Sequence, residues 1–253
     1  MTTEAKWPVY SLKLKRRSEV AERTLEFRFD KPTEMTFKAG QFMDLTLLEP
    51  PETDGEGNTR GFSINSAPDD PELMFTTRLR DTAFKRVLNT MPIGTEVKVE
   101  GPFGSLTLHN NANRSAVFLA GGIGITPFRS IVRWAAHQRL PHRLVLFYAN
   151  RRPEDAPFLD ELAGLAATNP NFTVVPTMTK MSDSRQPWQG ETGYIDQSLL
   201  EKYSSGTPSV GKELAGPIYY LAGPPAMVAG LHTMLNGAGV DDDDIRTEEF
   251  TGY

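Results

Sequence analysis

Ala116-Val117-Phe118-Leu119-Ala120-Gly121-Gly122-Ile123-Gly124-Ile125-Thr126-Pro127 is the stretch that decides the fold. A short apolar run breaks at paired glycines into a helix start, so strand, tight turn and helix follow one another. Glycine lets the backbone turn sharply and approach a ligand, and the open N–H groups at a helix start attract an anion. Thr126 is placed to cap that helix and Pro127 to be its first residue, where a missing N–H costs nothing. The chemistry points to an anionic ligand, most simply a nucleotide. Tight packing is the alternative explanation of the glycines, because the stretch has neither GxGxxG spacing nor the lysine of a P-loop.

Composition narrows the setting. The 253 residues suffice for two domains with separate apolar cores. A content of 39% hydrophobic and 23% charged residues reads as a soluble globular chain, and a net charge of -5 argues against a general nucleic-acid binder. The first residues, Met1-Thr2-Thr3-Glu4-Ala5-Lys6-Trp7-Pro8, contain no apolar leader, and no later run is long enough to span a bilayer, so a cytoplasmic location is expected. Cysteine is absent, which excludes disulfides, thiolate-bound zinc, cysteine-held iron–sulfur clusters and a cysteine nucleophile within this sequence. His109, His137, His142 and His232 lack paired-ligand spacing and read as surface or packing residues, with no metal site expected.

Two rhythms divide the chain near residue 112. In residues 1–112, apolar side chains alternate with polar ones at Leu12 and Leu14, at Leu25, Phe27 and Phe29, and at Leu45 and Leu47. Two further strands are expected at 73–80 and 95–100, with a short helix at 84–89 between them. Many short strands with Gly and Pro turns predict a closed or sandwich-like antiparallel sheet, and the acidic stretch 49–59 an exposed loop. In residues 113–253, apolar strands at 116–120, 144–148, 172–175 and 218–222 alternate with helices at 127–138, 157–167, 197–203 and 226–237. That alternation predicts a parallel sheet covered on both faces, with ligands beyond the strands' carboxyl ends. The run Asp241-Asp242-Asp243-Asp244 reads as a solvated loop before the last strand.

Three more segments carry chemistry. Arg60-Gly61-Phe62-Ser63 sets a guanidinium and an aromatic ring on one strand face, with a hydroxyl on the other. A fixed guanidinium suits a diphosphate and a ring suits a planar heterocycle, although an exposed Arg beside a core Phe is the plain alternative. Ala222-Gly223-Pro224-Pro225 is a second strand that breaks sharply into a helix. The last residues, Thr247-Glu248-Glu249-Phe250-Thr251-Gly252-Tyr253, combine carboxylates with aromatics; docking on a flat ligand and packing of Phe250 into the core both remain open.

In this order the segments resemble the ferredoxin–NADP reductase superfamily of flavoproteins, over nearly the whole chain. Its marks are Arg60-Gly61-Phe62-Ser63 in place of Arg-x-Tyr-Ser, then Gly121 to Pro127, then Ala222-Gly223-Pro224-Pro225. The resemblance implies an N-terminal antiparallel Greek-key β-barrel that binds flavin and a C-terminal Rossmann-like α/β domain that binds a nicotinamide nucleotide. Arg60 would meet a flavin phosphate, Phe62 would stack on or beside the isoalloxazine, and Ser63 would bond near N5. Thr76, Thr77 and Arg78 match the strand that lines the flavin, and Arg80 faces the same way. Thr82 and Ala83 open a helix toward the pyrophosphate, with Asp81 as its expected N-cap.

On the nicotinamide side the resemblance implies that Gly121, Gly122 and Gly124 admit the diphosphate, with Thr126 and Pro127 near the flavin–nicotinamide junction. Gly223 and Pro224 would lie beneath the nicotinamide, Glu248 would be the acid near hydride transfer, and Phe250 or Tyr253 would cover the flavin. Ser63, Glu248 and Thr126 are thus the implied catalytic residues. Asn150 and Arg151 after the second strand, and Thr179 and Lys180 after the third, favour NADPH over NADH by offering cations and hydroxyls to a 2′-phosphate. FAD is expected over FMN because the superfamily mostly uses it. Two positions depart from the pattern: Phe62 replaces Tyr, and Ala222 stands where Cys is frequent. The implied activity is hydride transfer between nicotinamide C4 and flavin N5, with electrons leaving to a ferredoxin, a flavodoxin or a small molecule. A non-catalytic flavin- or nucleotide-binding regulatory or electron-transfer subunit is the competing expectation, resting on Ala222.

Overall fold

In a computed structural model the described residues are 7–204 and 216–251, and they form two six-stranded sheets. The first comprises β1 (Val9–Ala21), β2 (Thr24–Asp30), β3 (Phe42–Leu47), β4 (Thr59–Ser63), β5 (Glu72–Arg78) and β6 (Glu96–Phe103), with α1 (Ala83–Thr90) between the last two. These strands pair antiparallel in the order β4-β3-β6-β1-β2-β5, and an Ile64–Phe75 bridge joins β4 to β5 across the two edges. The sheet is therefore barrel-like. Alternation explains its core: Leu12 and Leu14, Phe27 and Phe29, and Leu45 and Leu47 all point inward, where Phe84, Val87 and Leu88 of α1 join them.

The second sheet comprises β7 (Ala116–Gly121), β8 (Leu144–Asn150), β9 (Phe172–Met178), β10 (Glu191–Thr192), β11 (Ile218–Gly223) and β12 (Ile245–Glu249). All pair parallel, in the order β10-β9-β8-β7-β11-β12. Four helices alternate with these strands: α2 (Ile125–His137), α3 (Leu159–Thr168), α4 (Gln197–Ser204) and α5 (Pro225–Gly237). Every residue of β7 and β11 is buried because successive side chains enter different cores. Ala116, Phe118 and Ala120 meet α2 and α3, whereas Val117 and Leu119 meet α4 and α5. A strand covered on both faces has no polar side, which is why these runs read as continuously apolar.

The helix after β7 starts differently from expectation. Gly122–Gly124 form a 3-10 turn, α2 begins at Ile125, and Gly124 is its N-cap without a side-chain bond. Thr126 lies in the first turn, its hydroxyl donating to Ile123 O at 3.0 Å, and Pro127 follows it. Proline fits anywhere in a first turn because those N–H groups have no intrahelical partner.

Candidate active site

The carboxyl ends of the parallel strands open onto a cleft of about 780 Å³ shared by the two sheets. Arg78 and Arg80 reach it from the barrel; Gly122, Asn150, Arg151 and Thr179 reach it from the parallel sheet. Asn150 is only 6% exposed, and neither atom of its amide has a partner among the described residues. Arg78 donates from Nη2 to Asp155 O at 2.7 Å, while its buried Nε is left unpaired. An unpaired buried polar group costs about 1–3 kcal/mol, so the cleft is lined with groups that a polar ligand would satisfy.

On the barrel side Arg60 is held by the chain's own oxygens. Its Nη1 donates to the carbonyls of Glu56, Gly57 and Thr59, and its Nη2 lies 2.8 Å from Glu56 Oε2 and 3.5 Å from Asp54 Oδ1. Asp54 Oδ2 accepts the Ala83 N–H, the first of α1, at 3.1 Å. The chain's own carboxylates thus sit where a guanidinium and a helix start converge. Thr82 caps α1 by accepting from Lys85 N, so Asp81 is not the cap; it pairs with Arg86 instead. Burial, helped by nearby Arg80, Arg60 and Arg78, pulls the Lys85 ammonium down to about 8.

Phe62 is a core residue, 8% exposed, with its ring against Phe75 and Phe84. That is the packing placement, not an open stacking face. Gly61 beside it is exposed and pairs across to Asp44. Thr76 and Thr77 are buried, and Thr76 Oγ1 accepts from Asn65 Nδ2 at 2.8 Å. Ser63 crosses the domain seam: its Oγ donates to Glu248 Oε1 at 3.0 Å. Burial holds the Glu248 carboxyl above the usual carboxylate range, against the Ser63 bond, which draws it down.

On the other side the two glycine turns abut. A Cβ on Gly124 would lie 2.2 Å from Ala222 O, and one on Gly121 would lie 2.3 Å from Met227 Sδ. Close approach to the β11 backbone is therefore sufficient reason for Gly124, whereas the contact at Gly121 is with the flexible end of Met227, and Gly121, Gly122 and Pro224 all line the cleft. Gly223 O accepts the Phe250 N–H at 3.0 Å, and the Phe250 ring packs on the α2–α3 core, the packing alternative for that aromatic. Tyr253 lies outside the described residues. Thr179 donates from both N and Oγ1 to Asn150 O, and Lys180 N donates to Arg151 O, so the ends of β8 and β9 are tied side by side. Asp54, Lys85 and Tyr194, the last of which also lines the cleft, were not legible as site residues; each sits in a loop or on a helix face without a motif.

The oxidoreductase NAD-binding domain family matches residues 118–233. The chain is 29% identical over 236 residues to the glycine betaine monooxygenase reductase subunit of Chromohalobacter salexigens, covering 90% of this chain and 60% of that one. It is 28% identical to the phenol 2-monooxygenase reductase component DmpP of a Pseudomonas species, over 89% of this chain and 60% of that protein. Among solved structures, a ferredoxin NADP+ reductase from Neisseria gonorrhoeae with bound FAD and NADP superposes with a TM-score of 0.77 at 24% identity, covering 97% and 99% of the two chains. The chain therefore shares the two-domain fold of that reductase, and its parallel-sheet half matches the NAD-binding domain family. It spans about 60% of the length of those two curated relatives.

The resemblance to such reductases implies a flavin and a nicotinamide dinucleotide as ligands, and the donor set fits both. Asp54 on Arg60 and Ala83 marks an anion position with Lys85, Arg78 and Arg80 close by. The unpaired Asn150 amide and Arg78 Nε, at the strand ends, add donors and an acceptor for a dinucleotide. No helix among the described residues is long and apolar enough to cross a membrane.

Proposed function

We propose that this chain is a flavin-dependent NAD(P)H oxidoreductase that moves hydride between nicotinamide and flavin and passes electrons to a separate acceptor. The observation that carries it is the cleft at the strand ends, with barrel arginines on one wall and the unsatisfied Asn150 amide on the other. Arg60, Arg78 and the start of α1 would hold the flavin phosphates; Gly122, Asn150 and Thr179 would hold the nicotinamide dinucleotide. A bound flavin supplies hydride acceptance and onward release of electrons. Ser63 donates its hydroxyl across the seam to Glu248, a carboxyl that burial holds above the usual carboxylate range and so able to take up a proton. Thr126, buried in the first turn of α2, positions that turn through Ile123 O.

NADPH is the favoured donor. Arg151 and Lys180 are exposed at neighbouring strand ends without an ion-pair partner among the described residues. The nearby acids are engaged elsewhere, Asp155 with Arg152 and Glu154 with Ser184 and Arg185 N. FAD is favoured over FMN, the domain boundary is placed at residue 112, and the acceptor is a ferredoxin-like or oxygenase partner protein, as the names of the relatives suggest. Protein incubated with FAD and then desalted should stay yellow. A colourless protein under those conditions removes the flavin half of this reading.

A further inference from the structure

We propose that Arg129 and Ser130 on α2 clamp the two domains together, making Arg129 a positioning residue that sets the spacing between the flavin and nicotinamide halves of the site. The inference rests on the oxidoreductase reading above, and its geometry is independent of any ligand. The Arg129 side chain is 4% exposed, and its Nη1 donates to Glu26 Oε2 on β2 at 2.9 Å and to Asn65 O at 3.2 Å. Its Nε and Nη2 fork onto the Glu161 carboxylate of α3, and its guanidinium carbon lies 4.1 Å from the centre of the Phe158 ring. The next residue, Ser130, donates to Ser66 O at 2.6 Å. One turn on, Arg133 bridges Asp70 of the barrel and the same Glu161.

What α2 grips is the segment just past Ser63, and it grips it one turn after Thr126. The backbone that carries the flavin-side hydroxyl and the helix start that carries the nicotinamide-side turn are thus fixed to one another through two consecutive residues. Glu26 is fully buried, with Arg28 and Asn65 as its other partners. Burying so many charges at a seam is poor economy for stability alone, since well-packed apolar groups do as well; fixing a geometry is the use that a fully bonded ionic network serves better. Rates of transfer between bound groups depend steeply on such spacing, a displacement of about 1 Å costing on the order of 100-fold.

The cysteine-free sequence makes the test direct. Ile93→Cys on the barrel, at a position 59% exposed, and Ala229→Cys on the exposed side of α5 accept one spin label per domain. Pulsed dipolar spectroscopy should give one narrow distance in the otherwise unaltered protein and a shifted or broadened distribution in Arg129→Met, with Arg129→Lys between them. In FAD-loaded protein of equal flavin content, reduction at saturating NADPH should slow on the order of 100-fold in Arg129→Met. An unchanged distance distribution overturns the clamp, and so does a shifted distribution with an unchanged reduction rate. If Arg129→Met does not fold, Ser130→Ala decides: a smaller change of the same kind supports the clamp, and unaltered distance and rate overturn it. A parent protein that NADPH does not reduce, with the distance still shifted in the variant, supports the clamp and sinks the oxidoreductase reading instead.

Discussion

Ser63 and Glu248 stand 185 residues apart in the chain and meet through one hydrogen bond across the domain seam. Removing the hydroxyl takes away the bond that draws the Glu248 carboxyl downward and, on the proposed reading, a donor beside the flavin. Ser63→Ala should therefore slow flavin reduction about tenfold with flavin content unchanged, and shift the pH profile of that step upward because Glu248 keeps its proton to higher pH. Stopped-flow reduction across a pH series reads both; an unmoved profile speaks against the proton role. Asp54 is the opposite kind of residue, an anion of the chain lying against Arg60 and the first N–H of α1. On the proposed reading, neutralising it removes a competitor for the flavin phosphate. Asp54→Asn should tighten FAD binding to the apoprotein by about 1 kcal/mol, roughly fivefold in Kd by fluorescence titration. Weaker binding would mean that Asp54 shapes the site instead of competing for it.

At the scale of elements, α1 brings Lys85 against Arg60, Arg78 and Arg80, and burial with their repulsion lowers its pKa to about 8. The unfolded chain keeps that proton to about pH 10.4, so between these values it binds more protons than the folded protein, and stability rises with pH. Urea midpoints measured at pH 8 and pH 10 should show this rise in the apoprotein and lose part of it in Lys85→Met; equal slopes would contradict the assignment. The long parallel strands were legible because alternate residues feed two cores, as Phe118 and Leu119 do. The start of α2 was legible only to within a turn, since Pro127 is compatible with several first-turn positions. The two-residue β10 and the neighbouring Tyr194 carry no rhythm at all. Glu26 and Arg129 were illegible for a deeper reason. In an alternating strand Glu26 reads as solvent-facing, and Arg129 reads as polar surface on α2; only the docking of one domain on the other buries them together.

For the whole molecule, the fold follows from two rhythms and the function from what their junction gathers. Barrel arginines, the Ser63–Glu248 contact and the ends of β8 and β9 meet at the seam, while α2 holds that seam at a fixed spacing. Flavin-loaded protein mixed anaerobically with NADPH, and separately with NADH, tests this most directly. The flavin absorbance should bleach within seconds, faster with NADPH. A flavin spectrum unchanged by either nucleotide would contradict it.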